Sequence, residues 1–176
     1  MKILKILLIV IGLLAAVLFG GGMFLSPQFK VTRSVMIAAP ADRIYGLIAD
    51  PREWKRWSVW NQRDPKMKIE YSGPPSGTGA AWSWKSESEG DGRMTFTEAV
   101  PGRHVAYELV FPDFGTTSNG EIEIAPDGAG SRVTWAMNGN MGSNPLFRWF
   151  ALNADSMVGK DFEAGLANLK ALAEKP

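Results

Sequence analysis

Between residues 67 and 139 six stretches with strand-like alternation follow one another with only short runs of turn residues between them. They cover 67–72, 79–88, 92–99, 103–111, 117–125 and 131–139, and the separators read SGPPSG, EGDG, PG, FPDFG and PDGAG. Period-two alternation sends successive side chains to opposite faces, and connections this short join antiparallel neighbours. A seventh alternating stretch, FKVTRSVMI at 29–37, precedes them. The chain therefore has to build an antiparallel sheet with one apolar face, and that face needs a cover.

The cover is predicted at the C-terminus, where Asn144 and Pro145 open one long helix running to about residue 173. Val158, Phe162, Leu166, Leu169 and Leu172 form a stripe at helical spacing, with Lys160, Glu163 and Lys170 away from it. Asp161 falls on the flank of the stripe, and Gly165 within it allows either a close approach or a gap. The inner face of the sheet collects Trp82 and Trp84, Met94 and Phe96, then Val105, Tyr107, Leu109 and Phe111. Ile122, Ile124, Val133, Trp135 and Met137 complete it. Burial of a tryptophan removes roughly 150–250 Å² from water, so these rings are expected inside.

Two helices are expected between the first strand and the rest. One opens at Pro40 as its first residue and turns Ile44, Leu47 and Ile48 to one side. The other has Asp50 as N-cap, Pro51 after it and Glu53 to close a capping box. It carries EWKRWSVWN at 53–61, with Trp54, Trp57 and Trp60 three apart. Over a helix at about 51–58 the first two step round by about 60° and make an aromatic ridge, which Trp60 extends only if the helix continues.

Residues 6–25, ILLIVIGLLAAVLFGGGMFL, lack any charged or strongly polar side chain, and twenty helical residues at about 1.5 Å each reach about 30 Å. Residues 1–25 are therefore predicted to be a single transmembrane signal-anchor in an inner or cytoplasmic membrane, 26–28 a linker and 29–176 the folded domain. Lys2 and Lys5 favour a cytoplasmic N-terminus and an extracytoplasmic, periplasmic domain, with Lys30 and Arg33 opposing in part. A cleaved signal peptide is the alternative, since Gly20 and Gly22 could satisfy a peptidase before Met23, but the run is long for that and continues to Leu25.

Several function classes drop out on composition. There is no cysteine and one histidine, His104, so zinc, iron-sulfur and haem sites lack their usual ligands, and no metal or cofactor is expected. The formal charge is +1, and removing Lys2 and Lys5 leaves 17 basic against 18 acidic residues, a net of −1. Nucleic acid is not expected as a partner, because phosphate neutralisation requires clustered Lys and Arg. Nothing in the sequence indicates the oligomeric state.

The segments VTRSVMIAAPADRIYGLIADPREWKRWSVWNQRDP, YSGPPSGTGAAWSWKSE, GDGRMTFTEAVPGRHVAYELVF, SRVTWAMNG and MVGKDFEAGLANLK, in that order, resemble the START-like superfamily, in its polyketide cyclase/dehydrase and lipid-transport branch (SRPBCC). The resemblance covers about residues 29–173. It implies an α+β, Bet v 1-like helix-grip fold: a seven-stranded antiparallel sheet wrapped around a long C-terminal helix, with a deep hydrophobic cavity between them. Members bind lipids, sterols, polyketides or plant hormones; some are cyclases and others assist chaperones. No catalytic signature is shared across them, and the N-terminal span argues against a chaperone role.

In that arrangement the tryptophan ridge is expected to plug or line one end of the cavity. The expected ligand-binding residues are Trp57, Trp60, Trp82, Trp84, Phe96, Tyr107, Trp135, Met137, Asp161 and Phe162. Acid–base candidates are few. Extending the inner faces at period two adds only Glu98, beside the PG turn. Asp161 at the edge of an apolar face could have a raised pKa, or be a solvated or salt-bridged flank residue. His104 reads as an exposed turn-end histidine, and Tyr107 as a ligand donor or a satisfied core tyrosine. No Ser, His and Asp triad and no phosphate loop can be assembled. In NPLFRWFALN (144–153) Trp149 projects opposite the core stripe, suiting a bilayer interface or lipid gate with Phe150, unless a kink near Asn153 packs both sides.

The leading expectation is a membrane-tethered, non-enzymatic module that binds or shuttles a lipid or isoprenoid-like molecule. A cyclase, dehydratase or hydrolase using Asp161 or Tyr107 is the second. An interaction module whose pocket is filled by its own side chains is the third, and a cavity of several hundred Å³ would separate the first two from it.

Overall fold

In a computed structural model, which describes residues 2–175, the seven strands form one antiparallel sheet in the order β1-β7-β6-β5-β4-β3-β2. They are β1 (Gln28–Ile37), β2 (Lys68–Ser72), β3 (Ala81–Lys85), β4 (Gly92–Val100), β5 (His104–Phe111), β6 (Thr116–Asp127) and β7 (Gly130–Asn140). Every chain-adjacent pair from β2 to β7 is joined directly, while β1 pairs along its whole length with β7, from Gln28 opposite Asn140 to Ile37 opposite Ser131. The helices are α1 (Lys2–Met23), α2 (Ala41–Ala49), α3 (Trp54–Trp57), α4 (Val59–Arg63) and α5 (Pro145–Ala173). This is the helix-grip fold.

The long helix α5 begins as expected: Asn144 is its N-cap and accepts from Leu146 N at 3.0 Å through Oδ1, with Pro145 as the first helical residue. It runs unbroken past Asn153. Phe162, Leu166 and Leu169 are fully buried against the sheet, with Val158 and Leu172 half-buried. Phe162 stacks on Trp135 at 3.9 Å and 4° between planes. Gly165 marks a close approach and no gap, since a Cβ there would lie 3.0 Å from Cζ3 of Trp135.

Four local expectations need correction. The capping box does not form: Asp50 Oδ1 accepts from Arg52 N at 2.8 Å, but Glu53 turns to Arg56 and helix begins only at Trp54. That helix then breaks at Ser58, whose ψ of 127° is extended, and resumes as α4 on a new axis. Pro40 is likewise the extended cap residue of α2 and not its first helical residue. Glu98 does not face inward, because the β4 register shifts between Phe96 and Glu98. The bulge returns Ala99 to the core side and leaves Glu98 exposed. Finally, β3 ends at Lys85, short of the predicted 88, where Ser86 caps a turn by accepting from Glu89 N at 2.9 Å.

Candidate functional site: an apolar cavity under the long helix

The break at Ser58 decides what the three tryptophans do. Trp54 and Trp57 stay on α3, with ring centroids 4.5 Å apart, and their indole N–H groups donate to Ile48 O (2.9 Å) and Leu47 O (3.1 Å). Those are carbonyls in the last turn of α2, which a helix end leaves without intrahelical donors. The ridge thus ties α2 and α3 to the core. Trp57 is sealed, meeting Trp135 edge-on at 5.3 Å. Trp60, beyond the break, packs edge-on against Trp135 (5.8 Å) and against Phe162 (6.3 Å).

Trp60 there faces a cavity of about 400 Å³ between the sheet and the N-terminal half of α5. The sheet supplies Trp82 and Trp84 from β3, Met94 from β4, Leu109 and Phe111 from β5, and Met137 from β7. The helix supplies Phe147, Phe150, Met157 and Val158, and Phe29, Trp54, Met67 and Met141 complete the apolar wall with Trp60. Ser118 and Thr116 on β6, and Ser58 at the helix break, add small buried polar groups. Among the described residues the indole N–H groups of Trp60 and Trp82 have no hydrogen-bond acceptor, whereas those of Trp54, Trp57, Trp84, Trp135 and Trp149 do.

One wall is charged. Arg63 on α4 holds Asp161 on α5 at 2.5 Å and stands 3.9 Å from Glu89, all three lining the cavity. The hydrogen bond to Asp161 raises the Arg63 pKa above its already high value, so the guanidinium keeps its charge. Asp161 therefore reaches the cavity as a salt-bridged carboxylate.

Of the ten residues expected at a ligand, Trp60, Trp82, Trp84, Met137 and Asp161 line the cavity. Trp57, Phe96, Tyr107, Trp135 and Phe162 lie behind that wall as close-packed core, each at most 2% exposed. Tyr107 is held there by the Trp135 indole, and burial pushes its hydroxyl pKa up. His104 sits at the far strand end, its Nε2 3.4 Å from Glu98 Oε2, well removed from the cavity wall. Sequence reasoning missed Arg63, Glu89, Phe147 and Met157. It also missed Phe29, although that residue shares the inward period of Val31 on β1.

Trp149 does not pack on the core; its indole N–H donates to Leu18 O of α1 at 2.8 Å. Among the described residues no cluster of three metal-binding side chains occurs. A second concavity, on the outer face where β1, β7 and β6 meet, is open and lined by Gln28, Lys30, Asn119, Asn138 and Asn140.

A family model described as polyketide cyclase/dehydrase and lipid transport matches residues 28–174. No curated protein matches the chain in a sequence comparison. Among solved structures, norcoclaurine synthase from Thalictrum flavum superposes with a TM-score of 0.63 at 14% identity, covering 86% of this chain and 96% of its own. Protein CV1439 from Chromobacterium violaceum gives 0.60 at 18% identity, covering 84% and 99%. The di-domain ARO/CYC BexL from the BE-7585A biosynthetic pathway gives 0.61 at 17%, covering 85% of this chain and 51% of that one. At these identities the likeness is one of fold.

Proposed function

Since the chain belongs to the polyketide cyclase/dehydrase and lipid transport family, we propose that it binds or shuttles a hydrophobic small molecule in the cavity under α5, without transforming it. We further propose that α1, 22 residues long and apolar throughout its middle, anchors it in a membrane with the domain on the extracytoplasmic side. The observation that carries the reading is the cavity itself. A core this rich in large rings could have closed on itself, yet about 400 Å³ stays open, within the range of small-molecule pockets and walled mainly by aromatic and methionine side chains. That volume also argues against an interaction module with a filled pocket.

The free N–H groups of Trp60 and Trp82 suit a ligand that carries a carbonyl or hydroxyl oxygen on an apolar body, such as a lipid or an isoprenoid. Its binding draws on apolar area first and on these donors for orientation. Mass spectrometry of the full chain isolated from its native membrane, with lipid extraction, is the direct test. A co-purifying hydrophobic molecule supports the reading; ligand-free spectra together with no thermal shift across a lipid panel would sink it.

A second reading, a cyclase or dehydratase working in the same cavity, is favoured by one observation: Glu89 and Asp161 put two carboxylates on a mainly apolar wall. Against it, the Asp161 carboxylate is already engaged by Arg63, and Tyr107 is sealed from the cavity. Turnover lost on Asp161→Asn or Glu89→Gln, with binding intact, would favour this reading over the first.

A further inference from the structure

The start of α5 is bolted to the end of α1. Besides the Trp149 bond to Leu18 O, Arg148 Nη1 donates to Met23 O at 3.0 Å and to Leu25 O at 3.3 Å, carbonyls at and just past the C-terminal end of α1. Only glycine allows so close a meeting: a Cβ on Gly22 would lie 2.2 Å from Pro145 O, and one on Gly21 3.0 Å from the Trp149 ring. The anchor is thus no loose tether. Its last two turns fix the height of residues 145–149 relative to the apolar span.

That height lies within the outer third of the span. With residues 6–25 filling the hydrocarbon at about 1.5 Å per residue, the Leu18 carbonyl lies roughly 10 Å inside the outer end of the run. Trp149, bonded to it, is carried into the outer third of the span, below the boundary at which interfacial indoles sit. Leu146, Phe150 and Met157 recur on α5 at spacings of four and seven, making one stripe with Asn153 between them. They are 48%, 38% and 54% exposed, while Phe150 and Met157 also line the cavity.

We infer that this stripe is seated in the bilayer interface, so that the mouth of the cavity between α5 and the sheet opens onto lipid and a ligand exchanges with the membrane without crossing water. The occupant is the lipid surface because Arg148 and Trp149, beside the stripe on α5, are hydrogen-bonded directly to the end of the span. The inference rests on reading α1 as a membrane span, and its test separates the two.

The chain has no cysteine, so single-site labelling is clean. Full-length Leu13→Cys, Leu146→Cys, Phe150→Cys, Met157→Cys and Asp127→Cys variants, each bearing an environment-sensitive fluorophore, would be reconstituted in phosphatidylcholine/phosphatidylglycerol vesicles containing spin-labelled lipid. Leu13 reports the span and Asp127, at a sheet end, reports water. The expected result is quenching at 146, 150 and 157 comparable with that at 13, and none at 127. Quenching at 13 alone overturns the inference and leaves the span standing. No quenching at 13 removes the span and the inference with it. Energy transfer between copies at 146 and 157, without lipid quenching, makes the stripe a contact between two chains and also overturns it.

Discussion

The indole Nε1 of Trp135 donates a 2.8 Å hydrogen bond to the hydroxyl of Tyr107, and the two residues are 1% and 2% exposed. The bond ties β7 to β5 across β6 and takes both groups out of reach of a ligand. Burial holds the Tyr107 pKa above its ordinary value, with the Trp135 bond pulling weakly the other way. Tyr107→Phe leaves the indole N–H buried without an acceptor, which costs about 1–3 kcal/mol. Thermal and denaturant unfolding of the full chain should show that loss while ligand affinity is unchanged; the opposite pattern would place Tyr107 in the binding or catalytic apparatus.

Gly120 lies under the same tyrosine. A Cβ there would come within 2.2 Å of Cζ and 2.3 Å of the hydroxyl oxygen of Tyr107. Gly120→Ala must therefore push the ring off Trp135, and overpacking of this kind costs about 1–3 kcal/mol. The two substitutions act on one contact, so the Tyr107→Phe and Gly120→Ala double variant should lose less stability than the sum of the singles. Strict additivity would disprove the coupling.

Leu109 is half-buried on β5 and projects into the cavity with no polar partner to lose. Leu109→Trp should place an indole in the 400 Å³ cavity and narrow it. The expected outcome is a fall of about tenfold or more in affinity for whichever lipid co-purifies, about 1.4 kcal/mol, with the unfolding midpoint held or raised. Retained affinity would show that the ligand sits elsewhere, and the open trough on the outer sheet face would be the next place to look.

The sheet, the long helix and its stripe from Val158 to Leu172 were readable because each rests on a local period that tertiary packing does not override. The break at Ser58 was not, since nothing in EWKRWSVWN forbids a continuous helix; the turn is imposed by Trp54 and Trp57 docking under α2 while Trp60 packs across Trp135. Period two assigns a face without saying whether the space above it is filled. Phe96 and Met94 share one face of β4, yet only Met94 reaches the cavity. The Arg63–Asp161 pair joins residues far apart in the chain, which no local pattern discloses.

Acid should loosen the grip of α5 on the sheet. Arg33 on β1 passes over Gly159 to bind Asp155 at 2.8 Å and Glu163 at 2.6 Å, and it holds the Asp155 carboxyl below its ordinary pKa. Glu174 is held down as well, chiefly by the Ala38 N–H at 2.7 Å and then by Lys170. A depressed carboxyl stabilises the fold above its unfolded pKa, and that contribution is lost as pH falls through the folded value. The unfolding midpoint should therefore decline below about pH 4, and less steeply in Arg33→Gln. Equal pH slopes in the two proteins would remove Arg33 as the cause.

Asp161→Asn separates binding from catalysis. The Arg63 and Asp161 side chains are 47% and 26% exposed, and ion pairs this open contribute about 0.2–1 kcal/mol, so stability should barely change. The cavity wall, however, loses one of its two carboxylates and keeps its guanidinium, which passes from a net −1 to neutral across Arg63, Glu89 and position 161. A long-chain carboxylate should then bind more tightly relative to the matching alcohol than it does in the parent protein. Calorimetric titration with the two ligands reads the ratio directly. An unchanged ratio would mean that the polar end of the ligand points away from α4, towards Ser118 and Thr116 on the opposite wall.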